Sequence, residues 1–275
     1  MLSWKEIVQG YLIKHSNQIK RVTQPLKDIF EITYFTYHRI DNKGKYTVLL
    51  DRPDWAEHYV SERIYLNDPY MRHPDVYSSG ACLVCTHGSL EYRKKVLRAG
   101  KEYLNCDEGL LLIEKSPEYV EFFGFAGERA KCNLSLLYLN HQPLLKSFAE
   151  HFKAELHHLL YKQSLEGLLL SVEKKEDYFN SEQIAPKIHL KQQERFLRAL
   201  KMDHHIRSFK QLTAQEKACA RLLLQSLTAR ESGEKLLLSP RTVESYLNNA
   251  KNKLGCCTKK EFLENLRQLS ELDLL

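Results

Sequence analysis

The stretch PDWAEHYVSERIYLNDP, residues 53–69, gathers three side chains able to hold a small molecule. Trp55 and Tyr59 stand four apart, on one face of a helix, and Asp68 follows in a loop before Pro69. An indole N–H, a phenol and a carboxylate on one aromatic surface can orient an amide- or carbonyl-bearing ligand. The same residues also read as an ordinary buried Trp–Tyr pair with an aspartate that caps a turn. A second collection, over 239–254, suits other chemistry. Val243, Leu247, Ala250 and Leu254 form one apolar stripe, and the opposite face shows Arg241, Glu244, Ser245, Asn248, Lys251 and Asn252. Asparagine can pair with adenine, glutamate can accept from the cytosine amine, and arginine or lysine can hold phosphate. A helix that is merely solvated shows a mixed polar face too.

Other candidates carry less. Cys82-x-x-Cys85-x-His87, with Cys106 beyond it, has the residue types of a metal or redox site, but no second Cys-x-x-Cys accompanies it. It reads as packing; a cysteine-based redox sensor or enzyme is the alternative from another class. Cys256-Cys257 falls in a short turn, and adjacent cysteines rarely chelate one metal. His157-His158 and His204-His205 read as polar-face residues whose neighbours point apart. No Gly-rich phosphate loop, HExxH, GxSxG or kinase set is present, so no enzyme activity, metal or cofactor is expected. The regular β/α alternation and early acidic pair of a receiver domain are missing as well.

The elements that must position these residues fall into three regions. Residues 32–39 and 45–50 are β-branched and aromatic, and Asp41-Asn42-Lys43-Gly44 between them reads as a hairpin turn. Further strands are expected at about 109–114, 119–126 and 132–139. Helical periodicity marks 92–103, through Tyr92, Val96, Ala99 and Tyr103, and 143–164, through Leu145, Phe148, Phe152, Leu156 and Leu159. A sheet with helices laid on it, an α+β sandwich, is the simplest way to bury these faces. Residues 173–208 begin charged and apolar-poor, carry Pro186, and read as a linker with one helix near 190–202. From 209 onward, Thr213-x-x-Glu216, Thr228-x-x-Glu231 and Thr258-x-x-Glu261 are three capping boxes, and Ser239-Pro240 is a fourth helix start. Four helices follow, near 213–225, 228–236, 239–254 and 258–270. The second and third are two to three residues apart, the spacing of a helix-turn-helix whose second helix enters the major groove.

Charge fits that division. The 275 residues hold 41 Lys+Arg and 35 Asp+Glu, a formal net charge of +6. Residues 1–172 are close to neutral, and the excess lies on the linker and the C-terminal region. Such a modest surplus implies few neutralised phosphates per protomer, a moderate salt dependence and reliance on dimerisation. No apolar run approaches the ~20 residues of a spanning helix. The first residues do not follow a secretory signal pattern, and the seven cysteines do not read as a disulfide framework, so a cytoplasmic location is expected.

LTAQEK at 212–217, Leu236, SPRTVESYLNN at 239–249 and KLG at 253–255 together resemble the DNA-binding domain of LuxR-type transcriptional regulators. The resemblance covers about 60 residues. It implies that Glu244, Ser245 and Asn248 face bases and that Arg241, Thr242 and Lys251 contact phosphates. Ser226 stands where the family usually has Gly, Ser232-Gly233 where it has Ile-Ala, and Ala250 where it often has Ile, which predicts a less stable domain. More loosely, Pro53, Trp55, Tyr59, Asp68 and Pro69 resemble the signature of the family's autoinducer-binding domain over about 20–165. That implies Trp55 donating to the carbonyl of an acyl-homoserine lactone head group, Asp68 accepting its amide N–H, and Tyr59 packing beside them. Two departures repolarise such a pocket. Asp51 replaces a tyrosine, bringing a charge, and a second tryptophan after the aspartate is missing around Leu83-Val84-Cys85. The glycine of the following strand corresponds to Gly109.

The expectation is an α+β protein: an N-terminal α/β/α sandwich with antiparallel sheet over 1–172, a charged linker over 173–208, and an all-α four-helix helix-turn-helix domain over 209–275. Its partners would be double-stranded DNA, a small-molecule signal bound by Trp55, Tyr59, Asp68 and Asp51, and a second copy of the chain through Phe262, Leu266 and Leu269, a stripe that also reads as closing the domain's own core. The alternative within this class is a ligand-independent regulator that uses the N-terminal domain to dimerise or to bind a protein.

Overall fold

A computed structural model of the chain describes residues 2–84, 89–128, 133–179, 190–272 and 274–275. They form two compact units, 1–186 and 187–275.

In the first unit a capping box between Ser3 and Glu6 starts α1 (Trp4–Ile7), which runs through a π-helical stretch, Val8–Ile13, towards α2 (Ser16–Phe30). The expected hairpin is β1 (Ile32–Asp41) and β2 (Lys45–Leu50), turning at Gly44, whose φ of +80° suits glycine. After α3 (Pro53–Ser61) come β3 (Gly80–Leu83) and α4 (Leu90–Tyr92), which continues through a π-helical stretch, Arg93–Leu97, into α5 (Arg98–Leu104). A second hairpin, β4 (Cys106–Lys115) and β5 (Tyr119–Glu128), precedes α6 (Leu134–Glu155), α7 (His157–Glu166), β6 (Leu168–Leu169) and α8 (Leu170–Lys174). The strands make one antiparallel sheet in the order β3-β4-β5-β1-β2-β6.

Period-two alternation along β1 divides its side chains between two layers. Phe35 faces α6, its ring 5.0 Å from Phe148 and 4.7 Å from Phe152. Tyr34, Thr36 and His38 face the opposite layer, together with Tyr46, Val48 and Leu50 of β2, where Trp55 and Tyr59 of α3 and Val96, Leu97 and Leu104 of the 90–104 helical segment close over them. The result is an α/β/α sandwich.

Two elements of the first unit differ from expectation. The strand expected over 132–139 is helical from Leu134: Asn133 caps it by accepting the Leu136 amide at 2.8 Å, and the helix kinks at His141, before Pro143. Leu134 is buried while Leu136 and Leu139 stay exposed, a helical rather than an alternating pattern. The single helix expected over 143–164 breaks at Leu156 into α6 and α7.

The second unit is α-helical: α9 (Leu190–Ala199), α10 (Asp203–Gln211), α11 (Ala214–Leu224), α12 (Ala229–Leu236), α13 (Pro240–Lys253) and α14 (Lys259–Glu271). All three C-terminal capping boxes form, and Ser239 accepts the Thr242 amide at 3.0 Å. The stretch read as a linker with one helix contributes both α9 and α10, and Leu197 and Ile206 are buried in this unit's core. His204 and His205 do not point apart; their ring centroids are 3.8 Å apart, and His205 is buried. Among the described residues no helix is long and apolar enough to cross a membrane, and no cluster of His, Cys, Asp or Glu could hold a metal.

Candidate functional site

Between the sheet and its covering helices lies a cavity of about 190 Å³, lined mostly by aliphatic and aromatic side chains. The strand register sets its floor: Thr36 pairs with Gly124, and Gly124 with Leu111. A Cβ at Gly124 would lie 2.7 Å from the Thr36 methyl, so a larger residue there would fill the floor.

Trp55, Tyr59 and Asp68 meet at one wall. Helical spacing on α3 brings the Trp55 and Tyr59 rings to 5.6 Å, and the Tyr59 hydroxyl donates to Asp68 Oδ2 at 2.6 Å. The Tyr70 amide donates to Asp68 Oδ1 at 2.8 Å, so both oxygens are anchored while each keeps accepting capacity. Burial, with the Asp68 charge beside it, raises the Tyr59 hydroxyl well above the ordinary phenol range, so it stays a donor. The Trp55 indole bonds the hydroxyl of Tyr34, which sequence reasoning did not single out. Behind Asp68, the buried Lys174 ammonium of α8 donates to the Asp68 carbonyl at 2.6 Å and the Tyr65 carbonyl at 3.1 Å. Burial pushes this ammonium down to about 8.

Asp51 does not line the cavity. Its Oδ1 accepts the Phe35 amide at 3.0 Å and its own amide donates to the Phe35 carbonyl at 3.3 Å, so it extends the β1–β2 ladder instead of charging the pocket. The remaining aromatic wall comes from Trp4, Tyr46, Tyr70 and Tyr92. The alternation of residues 34, 36 and 38 with 46, 48 and 50 was the one available signal, and it does not say which face meets a cavity. Cys82 is buried with its sulfur 3.0 Å from the Tyr70 hydroxyl, while Cys85 and His87 lie outside the described residues.

The second unit presents the helix-turn-helix. Residues 237–239 join α12 to α13, and α11, α12 and α13 pack on one another. Val243 and Ala250 are buried, while Arg241, Glu244, Ser245 and Asn248 are exposed on the other side of α13; Thr242 and Lys251 are half-buried. The expected apolar stripe faces inward, with Leu247 and Leu254 half-buried against the core, and the expected polar face is exposed apart from the half-buried Lys251. Glu216, the third residue of α11, is buried and accepts from the Lys253 ammonium at 2.8 Å, tying α11 to the end of α13. Burial pushes its carboxyl up, but Lys253 and the Thr213 donors outweigh that and hold it below the usual range. Phe262, Leu266 and Leu269, expected as a dimer surface, are buried in the unit's own core. Their spacing closes α14 onto its neighbours and leaves them no exposed face.

A family model described as bacterial regulatory proteins, luxR family (GerE) matches residues 210–263. The spore germination protein GerE of Bacillus subtilis (strain 168) is 33% identical over 63 residues, which is 23% of this chain and 85% of that protein. Among solved structures, Escherichia coli SdiA in complex with octanoyl-rac-glycerol is similar at a TM-score of 0.37 and 15% identity, over 97% of this chain and 88% of that one. The VqsR LBD domain from Pseudomonas aeruginosa gives 0.35 and 12%, over 56% and 95%.

Proposed function

Because the chain belongs to the luxR family of bacterial regulatory proteins and is a DNA-binding regulator, we propose that its first unit senses a small molecule and so controls promoter binding by α13. The observation that carries this reading is the cavity itself, apolar along most of its wall and polar where Trp55, Tyr59 and Asp68 converge. An acyl-homoserine lactone, or a divergent ligand with a carbonyl and an N–H on an apolar body, suits it. The Trp55 N–H would exchange its Tyr34 partner for the ligand carbonyl, and Asp68 would accept the ligand N–H. On DNA, Glu244, Ser245 and Asn248 would face base edges, with Arg241, Thr242 and Lys251 on phosphates. Two protomers on a two-fold site would pair through surfaces other than Phe262, Leu266 and Leu269. Ligand acts by its differential affinity for arrangements competent and incompetent to bind DNA.

A promoter reporter dosed with acyl-homoserine lactones of graded chain length tests this, beside mass spectrometry of small molecules retained by the purified protein. Trp55→Phe and Asp68→Asn should each raise the half-maximal dose about fivefold or more, as loss of a bond worth ~1–3 kcal/mol requires. Asn248→Ala should abolish promoter output at every dose. If both cavity variants leave a ligand-dependent output untouched, the pocket assignment is wrong. If no compound is retained and none shifts output, the chain regulates without a ligand.

A further inference from the structure

The cavity wall also holds a polar group that no described residue satisfies. His38 lines the cavity from β1 and is 7% exposed, and its Nε2 has no hydrogen-bond partner among the described residues. The imidazole lies against the Tyr70 backbone carbonyl. A neutral ring that carries its proton on Nδ1 towards that carbonyl leaves Nε2 an acceptor. The ring stacks on Phe122 at 4.4 Å and 17°, which holds its plane. Beside it, Tyr46 lies 5.7 Å from His38 and 5.6 Å from Trp4, which also lines the cavity and whose buried indole N–H has no acceptor among the described residues. Buried polar groups are almost always paired, and leaving one unmade costs free energy, so orphans at a cavity wall mark where an occupant supplies the missing partner.

We propose that the cavity's ligand carries, besides the groups that Trp55 and Asp68 would hold, a neutral hydrogen-bond donor such as a hydroxyl that donates to His38 Nε2, making His38 a specificity-determining residue. This rests on the reading of the cavity as a ligand site and adds a second polar anchor to the one at Trp55 and Asp68. Tyr70 links the two anchors, its amide on Asp68 and its carbonyl against the His38 ring, so one ligand reaches both. Burial pushes the His38 imidazole down to about 3, which keeps it neutral and accepting at any pH the protein meets. The Trp4 N–H, against the same Tyr46 ring, offers the occupant a donor in turn.

Phenol and toluene are matched in shape, differ in one hydroxyl, and are small enough for this cavity. Their dissociation constants are measured by calorimetry on the full chain, on His38→Phe, which keeps a flat ring but loses the acceptor, and on His38→Gln, which keeps an acceptor. The preference for phenol over toluene should fall about tenfold in His38→Phe and stay within about threefold of wild type in His38→Gln. In the wild-type chain, the His38 Nε2 nitrogen NMR signal should move with phenol and not with toluene, a readout that does not depend on the variants folding. Binding of both probes with a preference that His38→Phe leaves unchanged, and no movement of the Nε2 signal, overturns the His38 assignment while leaving the cavity as a ligand site. Binding of neither probe overturns both.

Discussion

At residue 51 the chain puts a carboxyl against the Phe35 amide, and burial pushes it up to about 6, with its hydrogen bonds opposing. A folded value above the ordinary one means that the folded state holds the proton more tightly. The stability Asp51 contributes is therefore full below about pH 4 and is lost as pH rises through about 6. Asp51→Asn keeps an acceptor for Phe35 without the charge. Its stability relative to wild type should rise between pH 4.5 and pH 7, to a gain of about 1 kcal/mol after allowing for partial exposure. Urea unfolding at the two pH values checks this, and an equal difference at both refutes it. The variant should leave the ligand response intact, since Asp51 lies off the cavity wall. Trp55, Tyr59 and Asp68 were legible in the sequence because one short stretch supplies all three. Tyr34, His38, Tyr46 and Trp4 were not, because they come from separate elements that only the sheet register brings together.

Helix ends show what one-letter departures mean. α11, α12 and α13 are each followed by a left-handed residue: Ser226 (φ +63°), Leu237 (φ +56°) and Gly255 (φ +67°). In each case the amide after it reaches back five residues, as Leu238 does to the Gly233 carbonyl at 2.8 Å. Only the third position uses the residue that adopts this backbone freely. Ser226→Gly and Leu237→Gly should each stabilise the unit by about 1 kcal/mol; Leu237, 92% exposed, has almost no packing to lose. Gly233 goes the other way. Helix propensity alone marks it as a weakness of ~1 kcal/mol against alanine, yet a Cβ there would lie 2.5 Å from the Leu238 carbonyl oxygen. Gly233→Ala should therefore destabilise, and a raised thermal midpoint would show that the turn has room to move. Glu216→Gln should cost about 1–2 kcal/mol, because the buried end of the Lys253 pair loses its charge while the lysine keeps some water. Because the Glu216 carboxyl is held below the usual range, that cost is present above about pH 4.5 and vanishes as pH falls through the lowered value. The C-terminal helices were legible to within a residue or two because caps are local signals. β3 and β6, four and two residues long, carry no periodicity to read, and Leu134–His141 has a leucine pattern that strand and helix share.

For the whole molecule, the sequence revealed two kinds of unit because their apolar periods differ, mixed in the first and helical in the second. It did not reveal that α9 and α10 belong to the second unit, because their apolar residues are too sparse until Leu197 and Ile206 have a core to enter. The distribution of one residue type has a practical consequence. The chain has two tryptophans, Trp4 and Trp55, and both line the cavity. The DNA-binding unit has none, so it is optically silent in the indole band. Intrinsic emission is thus a label-free gauge of the pocket alone. A bound small molecule should shift or quench it with saturation, and Trp55→Phe should remove part of the signal. If ligand and operator are coupled, the coupling must be reciprocal. Operator DNA, added without any ligand, should then change the emission of indoles it never touches, and a flat response would show that the two units do not speak to each other.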